Sequence, residues 1–174
     1  MHTEDEPFSP LSVYGQTKAA GDIAVAGCPR HYIMRSSWVI GEGHNFVKTM
    51  RALSDRVADP GDRLERVTVV DDQLGRLTFT RDMAEAIFHV LGSHAPCGTY
   101  NCTGSGAVRS WADIARAVFD VANGNGEAVT PVSTAEYYAN GKGPIAPRPH
   151  FSALDLSKLE SAGFHMPDWQ EELE

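Results

Sequence analysis

The chain has 174 residues, 42% of them hydrophobic and 22% charged, with a formal net charge of −8 at pH 7. That is room for one domain with a small lobe and a core of ordinary size, and the balance excludes a disordered or fibrous chain. Lys and Arg are scattered, which excludes a general nucleic-acid binder, and no run approaches the roughly 20 apolar residues of a membrane span.

Cys28, Cys97 and Cys102 form no CxxC pair and are odd in number, so they read as reduced thiols. The first residues are acidic and polar where a signal peptide is basic and then apolar. A cytoplasmic location is expected.

In chain order, Ser12 to Ala26 reads as a helix of small and polar residues, stopped by Gly27 and Pro29. "HYIMRSSWVIG" reads as one strand buried on both faces, and a helix followed by such a strand suggests part of a parallel α/β layer. Asn45 can cap a helix with Phe46, Met50 and Leu53 on one face, and "DPGD" at 59–62 is a turn. "RVTVVDDQ" is a β-branched strand. Phe79, Met83, Ala86, Ile87, Val90 and Leu91 make an amphipathic helix from about Thr78 to Leu91.

"CGTYNCTGSG" reads as a short strand running into a glycine loop. Ser110 with Asp113 makes a capping-box start for a helix with Trp111, Ile114, Ala115, Val118 and Val121 on its inner face, ended by "NGNG". "AVTPVST" reads as a strand, "NGKGPIAPRP" as an irregular functional loop or linker, and "ALDLSKLESAG" as a final helix.

Tyr14 and Lys18 lie one helical turn apart and share a face. An ammonium beside a phenol favours the phenolate and lowers a pKa ordinarily near 10, which suits the tyrosine to act as an acid toward a carbonyl. The bland reading is a surface tyrosine with a lysine one turn on. Trp38 reads equally as core or ligand contact. "DDQLG" at 71–75 reads as a strand-closing turn that orients the next helix. "GSG" at 104–106 lacks the wider glycine fingerprint of a phosphate site. Arg148 between Pro147 and Pro149 reads either as a rigid solvent loop or, through its planar fork, as a diphosphate contact. The histidines show no ligand spacing, so no metal site is expected.

"SPLSVYGQTKAAGD", "RSSWVIGEGHNFVKTM", "VVDDQLGRLTFTRDMAEAI", "GTYNCTGSGAVRSWADIARAV" and "APRPHFSALDLSKLESAGF" follow one another in an order and spacing that resembles the C-terminal part of dTDP-4-dehydrorhamnose reductase, an extended short-chain dehydrogenase/reductase. The resemblance runs from about Pro7 to Trp169. It implies an α/β fold, the remnant of a Rossmann parallel sheet plus a sugar-nucleotide-binding lobe, with residues 1–174 forming a substrate-binding domain that begins at the YxxxK helix.

The resemblance also implies roles. Tyr14 is the expected catalytic acid, protonating the C4 oxygen of dTDP-4-dehydro-L-rhamnose while NADPH or NADH reduces C4, and Lys18 holds the nicotinamide ribose and tunes that tyrosine. Trp38, Asn45 and Phe46 are expected near the substrate, and Arg148 and Ser152 near its nucleotide. A dTDP-sugar is the implied partner.

Two departures from the family stand out. No glycine-rich strand–turn–helix for the pyrophosphate precedes Tyr14, so the NAD(P)-binding half is expected to lie outside this chain, whether the chain is an excised piece of a longer enzyme or a truncated paralogue. Leu77 stands where the family usually has proline. The alternatives are a non-catalytic sugar-nucleotide-binding or regulatory module, or a related epimerase or dehydratase. The apolar edge left by half a parallel sheet is expected to be covered by self-association or rearrangement.

Overall fold

Ser12, in extended conformation, accepts the Gly15 amide through its side-chain oxygen, so helix α1 (Val13–Ala26) starts where its capping residue stands. The computed structural model describes residues 1–139 and 145–173. The expected irregular loop at 140–149 falls in part outside the described residues, and 145–149 carries no regular element. No residue of α1 is buried. Asp22 ties it to the body by accepting a 2.7 Å bond from Arg35 Nε.

The segment 31–40 is two short strands, β1 (Tyr32–Arg35) and β2 (Val39–Ile40), and not the single strand its apolar run suggests. Trp38 breaks it with φ of 49°, a left-handed conformation uncommon for a bulky residue. Of its side chains only Ile33 and Ile40 are buried, so it is not covered on both faces.

The following elements are α2 (Phe46–Ala58), β3 (Val67–Val70), β4 (Leu74–Gly75), β5 (Thr78–Phe79), α3 (Thr80–Gly92), β6 (Gly98–Asn101), β7 (Arg109–Ser110), α4 (Trp111–Asn123), β8 (Val129–Val132), α5 (Thr134–Tyr138) and α6 (Ser157–Ser161). Strands β1 and β6 run parallel with Tyr32 opposite Gly98 and Arg35 opposite Asn101. Parallel pairing also joins β2 to β5 and β3 to β8, while β4 and β7 are antiparallel. Parallel neighbours need crossovers, which the intervening helices supply.

Two cores result. One lies between α2, α4 and the β3–β8 pair, around Met50, Val69, Ile114, Phe119 and Val129; the other joins α3 and α6 to β6 through Ala86, Val90, Tyr100 and Leu159. Leu77, in place of the expected proline, is fully buried in the first core, and its carbonyl accepts the Gly104 amide at 3.1 Å.

Three helix expectations change. Thr78 and Phe79 belong to β5, so α3 begins at Thr80, and Leu91 at its end is exposed. In α4 the inward positions are Ala112, Ile114, Ala115, Val118 and Phe119, which turns Val121 to solvent. The final helix closes after five residues, Ser157–Ser161, where Gly163 takes φ of 90°. The capping box of Ser110 and Asp113, the Asn45 cap of α2 and the left-handed Gly124 after α4 all stand as their residue types dictate.

Candidate functional site

Strand β3 stops at Val70, short of the expected "DDQ", and the Asp71, Asp72 and Gln73 that follow it each commit their side chain to a specific partner. Asp71 Oδ1 accepts the Ser110 hydroxyl at 2.6 Å, at the start of α4. Asp72 accepts both the Thr134 amide, at 3.0 and 3.1 Å, and the Thr134 hydroxyl, at 2.5 Å, at the first turn of α5. These bonds hold the Asp72 carboxyl below the ordinary carboxylate range. Gln73 Nε2 donates to Thr134 Oγ1 at 2.9 Å. The "DDQ" stretch thus orients the helices that follow.

Above this turn lie aromatic rings. Trp38 stacks on Trp111 with centroids 3.9 Å apart and planes at 19°, and Phe46 leans on Trp111 at 4.5 Å and 57°. The left-handed backbone at Trp38 aims its ring at this partner. Gly75 is required beneath it, because a Cβ there would lie 2.8 Å from the indole. Tyr137 and Tyr138 of α5 meet edge to face at 5.1 Å.

Phe46, Met50, Val69, Gln73, Trp111 and Arg148 line a cleft of about 200 Å³ that the α5 tyrosines close on one side. Arg148 is exposed and reaches it because the chain after it pairs with β4. Leu74 donates its amide to His150 O at 2.8 Å, Ser152 donates to Leu74 O at 2.7 Å, and His150 Nδ1 lies 3.0 Å from Asp72 O. Ser37 Oγ also donates to Ser152 O at 3.0 Å, so Ser152 anchors the "SSW" segment to this strand.

The expected site residues therefore divide. Phe46 and Arg148 meet in the cleft, and Trp38 supports its Trp111 wall from behind. Asn45 spends its amide on local structure, accepting from Lys48 N and donating to Gly41 O. It faces a second, larger cleft of about 630 Å³ with Lys48, Arg81 and Glu172, where Arg81 is ion-paired to Glu172 and Asp82. Tyr14 and Lys18 stand exposed on α1, outside both clefts. Sequence reading missed Gln73, Tyr137 and Tyr138 as cleft residues and took Trp111 only as core. The pair "YY" at the end of a short capped helix was the available signal.

Among the described residues no cluster of three His, Cys, Asp or Glu side chains is placed to hold a metal ion, and no helix is long and apolar enough to cross a membrane.

The parallel pairs and their crossover helices are the C-terminal part of an extended short-chain dehydrogenase/reductase fold. A dTDP-4-dehydrorhamnose reductase from Bacillus anthracis, solved in complex with NADP, superposes with a TM-score of 0.81 at 32% identity, covering 99% of this chain and 56% of its own. The chain belongs to the RmlD substrate binding domain family, which matches residues 1–174. The dTDP-4-dehydrorhamnose reductase of Aggregatibacter actinomycetemcomitans is 37% identical over 185 residues, 99% of this chain and 58% of the relative. The spore coat polysaccharide biosynthesis protein SpsK of Bacillus subtilis is 35% identical over 174 residues, again 99% of this chain and 56% of the relative. The chain spans little more than half the length of the curated relatives it matches.

Proposed function

We propose that this chain is the substrate-binding part of an NAD(P)H-dependent reductase that converts dTDP-4-dehydro-L-rhamnose to dTDP-L-rhamnose. What carries this reading is the convergence of Phe46, Trp111 and Arg148, from three separate segments, on one cleft. Aromatic faces suit a planar base, and the fork of Arg148 suits the diphosphate. Trp38 and Ser152 hold that wall and strand in place, and Asn45 fixes the start of α2 from which Phe46 projects.

The chemistry belongs to α1. Tyr14 donates its phenolic proton to the C4 oxygen as the carbonyl is reduced, and the Lys18 ammonium one turn away favours the resulting phenolate. A nicotinamide cofactor, when bound, would supply the hydride. Lys18, exposed with three N–H donors, suits the hydroxyls of a cofactor ribose. The glycine turn at 104–106 is no seat for the pyrophosphate: Gly106 packs against the Asp168 carboxylate, which repels a phosphate. In this reading the location is the cytoplasm, supported by the exposed free thiols of Cys28 and Cys97.

Titration calorimetry tests the assignment. Millimolar dTDP should bind the chain and lose affinity about tenfold in Arg148→Ala, and NADPH should show no measurable binding. Micromolar NADPH binding, or dTDP affinity unchanged by that substitution, overturns it. In the full-length enzyme Tyr14→Phe should cut turnover by about 100-fold or more with KM little changed, and an unchanged turnover removes Tyr14 from the chemistry.

A further inference from the structure

The relay from Asp72 through Thr134 to Gln73 determines which end of the Gln73 amide faces which way. Asp72 is ionised at neutral pH, its carboxyl held down by the two Thr134 bonds, so it can only accept. The Thr134 hydroxyl has a single proton, and at 2.5 Å from Asp72 Oδ1 that proton is spent on the carboxylate. Toward Gln73, 2.9 Å away, Thr134 Oγ1 can therefore only accept. The side of Gln73 facing Thr134 must be its NH2 group. Its carbonyl, Oε1, is turned the other way, and no hydrogen bond to it is made among the described residues.

Gln73 lines the cleft beside Phe46, Trp111, Tyr137 and Arg148. At about 200 Å³ the cleft is smaller than the ~300–1,000 Å³ of a complete small-molecule site, so it houses one part of a ligand. Its walls are aromatic and apolar, which favours a planar ring over a hydroxylated sugar. Arg148 supplies the cation for a diphosphate attached to that ring. Tyr14 does not line the cleft, so a sugar that is to reach Tyr14 must lie at the other end of the ligand.

We infer that Gln73 is a specificity-determining residue whose Oε1, aimed by Thr134 and Asp72, accepts a hydrogen bond from the imide N3–H of a thymine or uracil base held between Phe46, Trp111 and Tyr137. The inference rests on the reading of this cleft as the nucleotide site. Cytosine carries a lone pair at N3 and would set two acceptors against each other. Thr134 and Asp72 act as positioning residues: without them the amide can flip and present its NH2 group instead.

The test combines a protein change with a ligand change. Dissociation constants are measured by NMR titration of the chain and of Gln73→Leu with dTDP and with its N3-methyl derivative, which has no imide proton. Gln73→Leu should weaken dTDP about five- to tenfold, the usual worth of one hydrogen bond left unmade in a partly buried site. N3-methylation should weaken binding to the unsubstituted chain and cost far less in Gln73→Leu, because the bond is already gone. Additive losses, or a dTDP affinity indifferent to Gln73→Leu, overturn the role of Gln73 and leave the cleft assignment standing. Failure of the unsubstituted chain to bind dTDP overturns both. Should Gln73→Leu not fold, Gln73→Met carries the same comparison, with the fold checked by its amide spectrum.

Discussion

Trp38 holds a left-handed backbone so that its ring can lie flat on Trp111, and the clearance for that ring is the absent side chain of Gly75. Gly75→Ala should therefore push the indole off its partner and destabilise the chain by about 1–3 kcal/mol, the usual cost of overpacking. Urea unfolding measures the loss, and a changed near-ultraviolet tryptophan dichroism shows its place. Asp72 carries a pH signature. Its folded carboxyl titrates below the ordinary ~3.9 because of the Thr134 bonds, so the stability it contributes is complete above the unfolded value and is lost as pH falls through the folded one. Asp72→Asn should lower the melting temperature by a few degrees above about pH 5, and the gap should close on further acidification. A gap that persists at the lowest pH would assign the stabilisation to something other than the charge.

At the scale of elements, α4 and α1 are opposites. Helix α4 has a reciprocal capping box, a left-handed glycine at its end and five buried residues against β3 and β8. Its cap also accommodates Asp71, so Ser110→Ala removes two bonds at once and should cost about 1–2 kcal/mol in chemical unfolding. Helix α1 has a good cap and buries nothing. A 14-residue helix without a packed face is marginal in water, so its amides should exchange with solvent at least ~100-fold faster than those of α4. Asp22→Ala, which removes the 2.7 Å bond to Arg35, should speed that exchange further in α1 alone.

At the scale of the whole molecule, the two cores are each closed, yet the surface around α1 leaves Val13, Ile23 and Val25 exposed, and β1 pairs on one side only among the described residues. Exposed strand edges and apolar helix faces are templates for association. The chain by itself should therefore self-associate, and Ile23→Lys should shift sedimentation toward the monomer. A single monomeric species at high concentration would contradict this.

Local chemistry decided much of the chain without tertiary help. Ser12, Asn45 and Ser110 start helices and Gly124 ends one because side-chain oxygens satisfy free amides and glycine tolerates positive φ, preferences that operate within four residues. The order of motifs placed the chain in its family, and Arg148 was singled out by the fit of its fork to a diphosphate. Burial was less readable. An apolar run such as 31–40 does not reveal a break at Trp38, because the break is imposed by Trp111, far along the chain, and the seat that Gly75 leaves for the ring. Val121 and Leu91 follow helical spacing and still face solvent, since spacing defines a stripe and the neighbouring elements decide how much of it is covered. The cleft itself depends on tertiary structure for the same reason. Gln73, Trp111 and Arg148 become neighbours only when the strand pairing at Leu74 brings residues 148–152 alongside and Thr134 locks the Gln73 amide, contacts across tens of residues that no local pattern encodes.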